Sequence, residues 1–240
     1  MHASKVAKSY TSVQTQNEMG NLITKATEFV LANISSIGVD FVEPSSTFEV
    51  LDDTKPQRTV RILDYACGPG TITNILAGRA TEYIGLDLSP NMVKEYNERF
   101  SVETEGEKLN AQAFNINLFD PAGVPQSLSN PKYFEFDLAA VGFGFHHFEN
   151  LPMCTQRLVN RLKPGGVLMI LDFFTHAKDD LQGHAALNTI AHNGFTEEQI
   201  KALFASAGLE DNRVLDFGQE VTLRQHAKRR PFMAVGRKPV

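Results

Sequence analysis

From Thr59 onward the chain alternates short apolar runs with helix-spaced segments, and the first two runs each end in a carboxylate. Val60-Arg61-Ile62-Leu63-Asp64 is broken by Gly68-Pro69-Gly70, and Ile72 to Ala77 starts a helix. Tyr83-Ile84-Gly85-Leu86-Asp87 is followed by Ser89-Pro90, an N-cap with proline at the first helical position. The helix it opens carries Met92, Val93, Tyr96 and Phe100 at helical spacing. Strands that alternate with helices in this way pair in parallel, because each connection crosses over through a helix.

The pattern continues. Ala111 to Phe114 reads as a third strand, and Phe136 to Val141 as a fourth, apolar throughout and so buried on both faces. Leu151, Cys154, Leu158 and Leu162 mark a helix stopped by Lys163-Pro164-Gly165-Gly166, and Val167 to Asp172 is a fifth strand. Thr196 and Gln199 form a capping-box pattern, and Gly208 ends the helix it opens. Val214 to Leu223 and Pro231 to Arg237 read as two last strands, joined by a polar turn too short for a crossover helix and hence antiparallel. The expected architecture is α/β: a Rossmann-like, doubly wound seven-stranded sheet with an antiparallel last strand and helices on both faces. Ligands of such sheets bind at the carboxyl ends of the strands.

The 240 residues suit one domain at about 100–200 residues each. Residues 58–240 form the expected core, with 173–195 as a substrate-lid insertion. Residues 1–57 form an N-terminal helical cap segment, in which Asn17 to Ile34 is amphipathic. The 23 basic and 28 acidic residues argue against a nucleic-acid partner, and Lys228-Arg229-Arg230 reads as a loop before the final strand. No apolar run approaches a membrane span, no signal peptide opens the chain, and Cys67 and Cys154 lie 87 positions apart. These features suit a soluble cytoplasmic protein, and nothing in them specifies an oligomeric state.

The glycine turn after the first strand lets a ligand approach the backbone. Thr73 stands where a dinucleotide fingerprint needs glycine, and no Lys-Ser or Lys-Thr follows a longer glycine loop. Asp64 before the turn suits a cationic ligand group better than a pyrophosphate. Asp87, 23 residues further on, is placed to accept hydrogen bonds from both ribose hydroxyls. A ribose, no phosphate and a cationic end together describe S-adenosylmethionine. Alternatively, Asp64 and Asp87 cap helices, and Gly68 and Gly70 only make a turn.

LDYACGPG, IGLDLS and LKPGG together resemble the class I S-adenosylmethionine-dependent methyltransferases, from about residue 58 to the end. The stretch Phe143-Gly144-Phe145-His146-His147-Phe148 is similar to small-molecule members, including ubiquinone-biosynthesis-like enzymes. The resemblance implies that Asp64 acts through the loop on the methionine amino group. Ala66, Gly68 and Gly70 would line the methionine, Asp87 would bind ribose, and Leu88 and Met92 would pack near adenine. Asn117 stands where the family usually has an acid near the adenine amino group, with Leu118 beside it; an asparagine oxygen can still accept from that amine. Phe143 would mark the boundary between cofactor and substrate.

Methyl transfer from a sulfonium needs an aligned acceptor and removal of a competing proton. His146 and His147 follow the fourth strand, so one of them is a candidate base or substrate contact; both could instead hold the loop. Adjacent positions are expected to point apart. Tyr10, Asn188 and His192 are candidate substrate contacts alongside His147. No metal is expected: His176, His184 and His192 recur every eight residues, which drifts around a helix. Cys67 reads as packing. Gly142-Phe143-Gly144-Phe145 lacks the prolines of amino-methylating relatives. The expected activity is methyl transfer to a small, partly apolar molecule, O-methylation favoured. A protein methyltransferase, an inactive cofactor-binding or regulatory module, and an NAD-dependent oxidoreductase are the rival readings.

Overall fold

The computed structural model describes residues 13–43, 58–102, 108–176, 190–223 and 227–240. Strands β1 (Arg61–Tyr65), β2 (Glu82–Asp87), β3 (Ala111–Asn115), β4 (Phe136–Gly142), β5 (Leu162–Phe173), β6 (Glu210–Asp216) and β9 (Pro231–Arg237) form one seven-stranded sheet. Its order is β3-β2-β1-β4-β5-β9-β6, and β9 runs antiparallel to both of its neighbours. Strands β7 (Val221–Leu223) and β8 (Ala227–Arg229) pair separately as a two-stranded ribbon.

The apolar runs are continuous because both faces of the sheet are covered. Leu63, Tyr65, Ala139, Val141, Leu168, Ile170 and Phe232 are buried on one face. There they meet Cys154 and Leu158 of helix α5 (Leu151–Val159) and Ile200 and Phe204 of α6 (Glu197–Ser206). The alternating residues Ile62, Leu138, Ala140, Val167, Met169 and Met233 are buried on the other. They meet Ala26 and Val30 of α1 (Val13–Ala32), Ile37 of α2 (Ile34–Ile37) and Ile72 and Ile75 of α3 (Thr71–Ile75). Helix α4 (Pro90–Phe100) packs Tyr96 and Phe100 near Cys67.

The caps form as expected. The Met92 amide donates to Ser89 Oγ at 3.4 Å. Thr196 and Gln199 exchange both bonds of a capping box, at 2.8 and 3.2 Å.

Four elements differ from the sequence reading. The leading helix begins earlier, at Val13, and breaks at Asn33 before a second short helix that Gly38 ends at φ 81°. Lys163 to Gly166 belong to β5, in an irregularity where β4 slips from Phe136↔Leu162 to Leu138↔Val167. The run Val214 to Leu223 is not one strand: Asp216 accepts from the Gly218 amide at 2.8 Å, and this turn ends β6. Lys228 and Arg229 therefore lie in β8, where Lys228 faces Glu220 at 3.4 Å, and Arg230 pairs with Asp216.

Candidate active site

The loops after β1 and β4 carry left-handed backbone. Ala66 (φ 53°), Gly68 (φ 52°) and Gly70 (φ 90°) put three left-handed residues into five positions, and Phe143 follows β4 at φ 56°. Such a φ is a genuine outlier for an aromatic residue, and strain of this kind clusters at functional sites. The two loops touch: a Cβ on Gly144 would lie 3.2 Å from that of Ala66. The crevice between them is the topological switch point, where the chain runs from β1 to β2 on one side and returns from β3 to β4 on the other.

Two glycines serve different needs. A Cβ on Gly70 would lie 2.3 Å from the Phe100 ring, so packing of α4 excludes any side chain there. A Cβ on Gly68 would meet nothing within 4 Å, so this turn faces open space.

Asp64 lies beneath the loop, 1% exposed. Its Oδ2 accepts from the Thr73 amide at 3.2 Å and from Thr73 Oγ1 at 2.9 Å, and Thr73 Oγ1 lies 2.9 Å from the Tyr96 hydroxyl. Burial pushes its pKa up to about 7 despite those bonds. Asp64 therefore reaches a ligand only through the loop. Asp87 holds the loop from the other side: Oδ2 accepts from the Gly68 amide at 2.9 Å and Oδ1 from the Ser89 amide at 2.8 Å. Burial also raises its pKa. Each oxygen keeps a lone pair for a further donor. Leu88, 55% exposed, stands next to it, with half-buried Met92 in the first turn of α4. Cys67 is buried and its thiol pKa is raised, chiefly by burial, as suits packing.

Asn117 does not offer the atom expected of it. Its Oδ1 already accepts from the Phe119 amide at 2.8 Å and lies 3.4 Å from the Tyr65 hydroxyl. With the oxygen occupied, its NH₂ remains, and that group only donates. Leu118 is fully buried in the core, and its carbonyl accepts from Arg157 Nη1 at 2.9 Å, so its side chain lies below the site.

After Phe143 the chain makes a short 3₁₀ turn, Phe145–His147. The turn brings the rings of His146 and His147 to 4.2 Å, where extended backbone would have pointed them apart. His146 Nδ1 lies 2.8 Å from Oδ1 of Asp172, a fully buried carboxylate near the end of β5. Its carbonyl accepts from the Ala191 and His192 amides, both at 3.0 Å. His192 Nε2 lies 3.0 Å from the Phe148 carbonyl. Thus His146, His147 and His192 are brought together, whereas Tyr10 and Asn188 lie outside the described residues. Asp172 was not singled out from sequence, although it ends an apolar run as Asp64 and Asp87 do.

An apolar wall adjoins the turn. The Phe143 and Phe173 rings stack at 5.3 Å, and Phe143 packs on the cluster of Leu22, Phe173 and Val221, joined by Met19 and Leu223.

The glycine turn after β1, the carboxylate ending β2 and the sheet order with its reversed β9 define a class I S-adenosylmethionine-dependent methyltransferase. The open face of Gly68, the spare lone pairs of Asp87 and the exposed Leu88 fit that cofactor. A family model described as a methyltransferase domain matches residues 24–218, and the chain belongs to that family. It is 32% identical over 165 residues to an uncharacterized methyltransferase of Schizosaccharomyces pombe, covering 66% of this chain and 56% of that one. It is 29% identical over 126 residues to a ubiquinone/menaquinone biosynthesis C-methyltransferase of Dinoroseobacter shibae, covering 52% and 46%. The chain spans about half the length of the curated relatives it matches. A crystal structure of a SAM-dependent methyltransferase from Methanosarcina mazei superposes with a TM-score of 0.59 at 19% identity, covering 77% of this chain and 95% of that one. No helix among the described residues is long and apolar enough to cross a membrane.

Proposed function

We propose that this chain transfers the methyl group of S-adenosylmethionine to a small, partly apolar acceptor carrying an ionisable hydroxyl, with O-methylation favoured. The observation that carries the reading is the contact between the glycine loop and the β4 loop, Gly144 against Ala66, which sets paired imidazoles beside the cofactor turn. When bound, the sulfonium supplies an activated methyl and its own leaving group.

The chain's residues then have defined tasks. Asp64 and Asp87 hold the glycine turn, so that Ala66, Gly68 and Gly70 can present backbone to the methionine portion. Asp87 accepts from ribose, Leu88 and Met92 cover adenine, and Asn117 donates to an adenine ring nitrogen. Phe143 separates the cofactor from the acceptor. His146 or His147 takes the acceptor's proton, and His192 braces that turn. The stacked Phe143 and Phe173, with Leu22 and Val221 behind them, suit the acceptor's apolar part. Residues up to 57 act as a cap, supported by the burial of Leu22 against Phe173. Residues 173–195 act as a substrate lid, supported by the amide bonds that tie Phe173, Thr175 and His176 to Asn193 and Phe195.

A second reading is methylation of a ring carbon. Several relatives favour it, being named demethylmenaquinone methyltransferases or a ubiquinone/menaquinone C-methyltransferase. Both chemistries begin with loss of a hydroxyl proton and differ in the nucleophilic atom. The test is incubation with methyl-labelled donor and a metabolite extract, followed by mass spectrometry and NMR of the products. A methoxy signal supports O-transfer, and a ring-methyl signal supports the second reading. Label confined to macromolecules would overturn both.

A further inference from the structure

Asp172 belongs to no part of the cofactor site, yet it is a fully buried carboxylate in the penultimate position of the central strand β5, in register with Phe232 of β9. Burying a carboxylate costs several kcal/mol unless hydrogen bonds compensate. Three N–H groups do so here. Oδ1 receives the Phe173 amide at 2.8 Å and His146 Nδ1 at 2.8 Å, and Oδ2 receives the His146 backbone amide at 3.0 Å. One carboxylate therefore holds both the ring and the backbone of the same histidine.

The consequence is a tautomer. A carboxylate can only accept, so Nδ1 carries the proton, and in the neutral ring Nε2 is left as the acceptor. His192 is committed differently: its Nε2 faces the Phe148 carbonyl and so must donate. The ionisable groups against His146 are Asp172 from β5, the His147 ring at 4.2 Å from its own turn, and His192, whose amide reaches the His146 carbonyl. Two amides on that carbonyl, from Ala191 and His192, fix the turn from outside the sheet.

We infer that Asp172 is the positioning residue that makes His146, rather than His147 or His192, the base for the acceptor hydroxyl. This rests on the methyltransferase reading above. In the step, the acceptor's O–H bond breaks and its proton passes to His146 Nε2. The acceptor oxygen forms a bond to the methyl carbon, and the electron pair of the methyl–sulfur bond stays on sulfur. The positive charge thus moves from sulfur to the imidazolium, which then gives its proton to water.

Two readouts on the full chain separate the positioning role from the reading beneath it. The first is NMR of ¹⁵N-histidine-labelled protein at neutral pH, with His146 assigned by its loss in His146→Gln. The expected ring is protonated on Nδ1, and Asp172→Asn should move the proton to Nε2. A ring already protonated on Nε2, or one unmoved by Asp172→Asn, overturns the positioning role. The second is methyl transfer from labelled S-adenosylmethionine to two small phenols, one ionised at neutral pH and one not. Asp172→Asn should lower transfer to the un-ionised phenol by about 10²–10⁴-fold and spare the ionised one. Equal losses on both phenols overturn the inference, because a merely structural defect would not distinguish them. Should Asp172→Asn fail to fold, His146→Ala with added imidazole takes its place. Rescue of the un-ionised phenol alone supports the inference, and no rescue with cofactor binding retained overturns it. Unsubstituted protein that binds S-adenosylmethionine but methylates neither phenol overturns the hydroxyl acceptor class, while the tautomer result still decides the positioning. Protein that does not bind S-adenosylmethionine overturns the reading itself.

Discussion

A carboxyl group such as Asp64, sealed beneath a loop, makes stability depend on pH. Its unfolded value is about 3.9, whereas in the fold burial holds it at about 7. Between those values the folded chain keeps a proton that the unfolded chain has lost. The contribution is therefore full below about pH 4 and is lost as pH rises through 7, on the order of 4 kcal/mol in total. Asp64→Asn keeps an oxygen for Thr73 and removes the titration. Its urea midpoint should equal that of the unsubstituted chain at about pH 3.5, begin to exceed it above about pH 4 and exceed it most at pH 8; parallel pH curves would refute the assignment. Asp87→Ala removes the acceptor for the Gly68 amide and the carboxylate proposed above for ribose. We expect S-adenosylmethionine affinity to fall about 10–100-fold by calorimetry, with the fold retained. Asp64 and Asp87 are legible in sequence because a strand-end acid beside a glycine turn has few other uses. The committed oxygen of Asn117 is not legible, since the bend that brings the Phe119 amide onto it leaves no mark in residue type. Asp172 escapes notice because its partner, His146, lies 26 residues away and meets it only when the β4 loop turns back.

At the level of elements, α1 is tied to the site by Leu22, which packs on Phe173 and Val221. Phe29 stacks on Phe217 at 3.9 Å. A helix docked through a few apolar contacts can open without unfolding the sheet. Leu22→Asp should abolish amide exchange protection in 13–32 while leaving β1, β4 and β5 protected; global loss of protection would show that α1 is integral to the core. Helix starts are readable at Ser89 and Thr196 because both act through bonds to residues three positions on. The β7–β8 ribbon is not, because three-residue strands carry too little periodicity and its stabilising partner is α1. Lys163 to Gly166 look like a helix stop, and become strand only because β4 supplies a ladder across the irregularity.

For the whole molecule, the decisive fact is that β9 fills the gap between β5 and β6. Phe232, Met233 and Ala234 are fully buried between the two core faces, and the Gly236 position is closed in by Asn212, Phe204 and Leu209. A chain ending at Arg230 should show no cooperative urea transition, and a synthetic peptide of residues 231–240 should restore it. A cooperative transition without the peptide would mean that β6 folds independently of the sheet. The parallel order and the reversed strand are both legible, since connection length decides direction; connection length does not place the last strand inside the sheet, and only its apolar run, buried where β6 is polar, marks β6 as the edge. This arrangement also bears on synthesis. Strands β5 and β6 leave the ribosome with unsatisfied edges, and the segment that bridges them comes last among the sheet strands. At the usual 5–20 residues per second, residues 217–230 take about one to three seconds to translate. For that interval the nascent sheet is an open seam, and slow codons in that stretch would prolong its need for a chaperone.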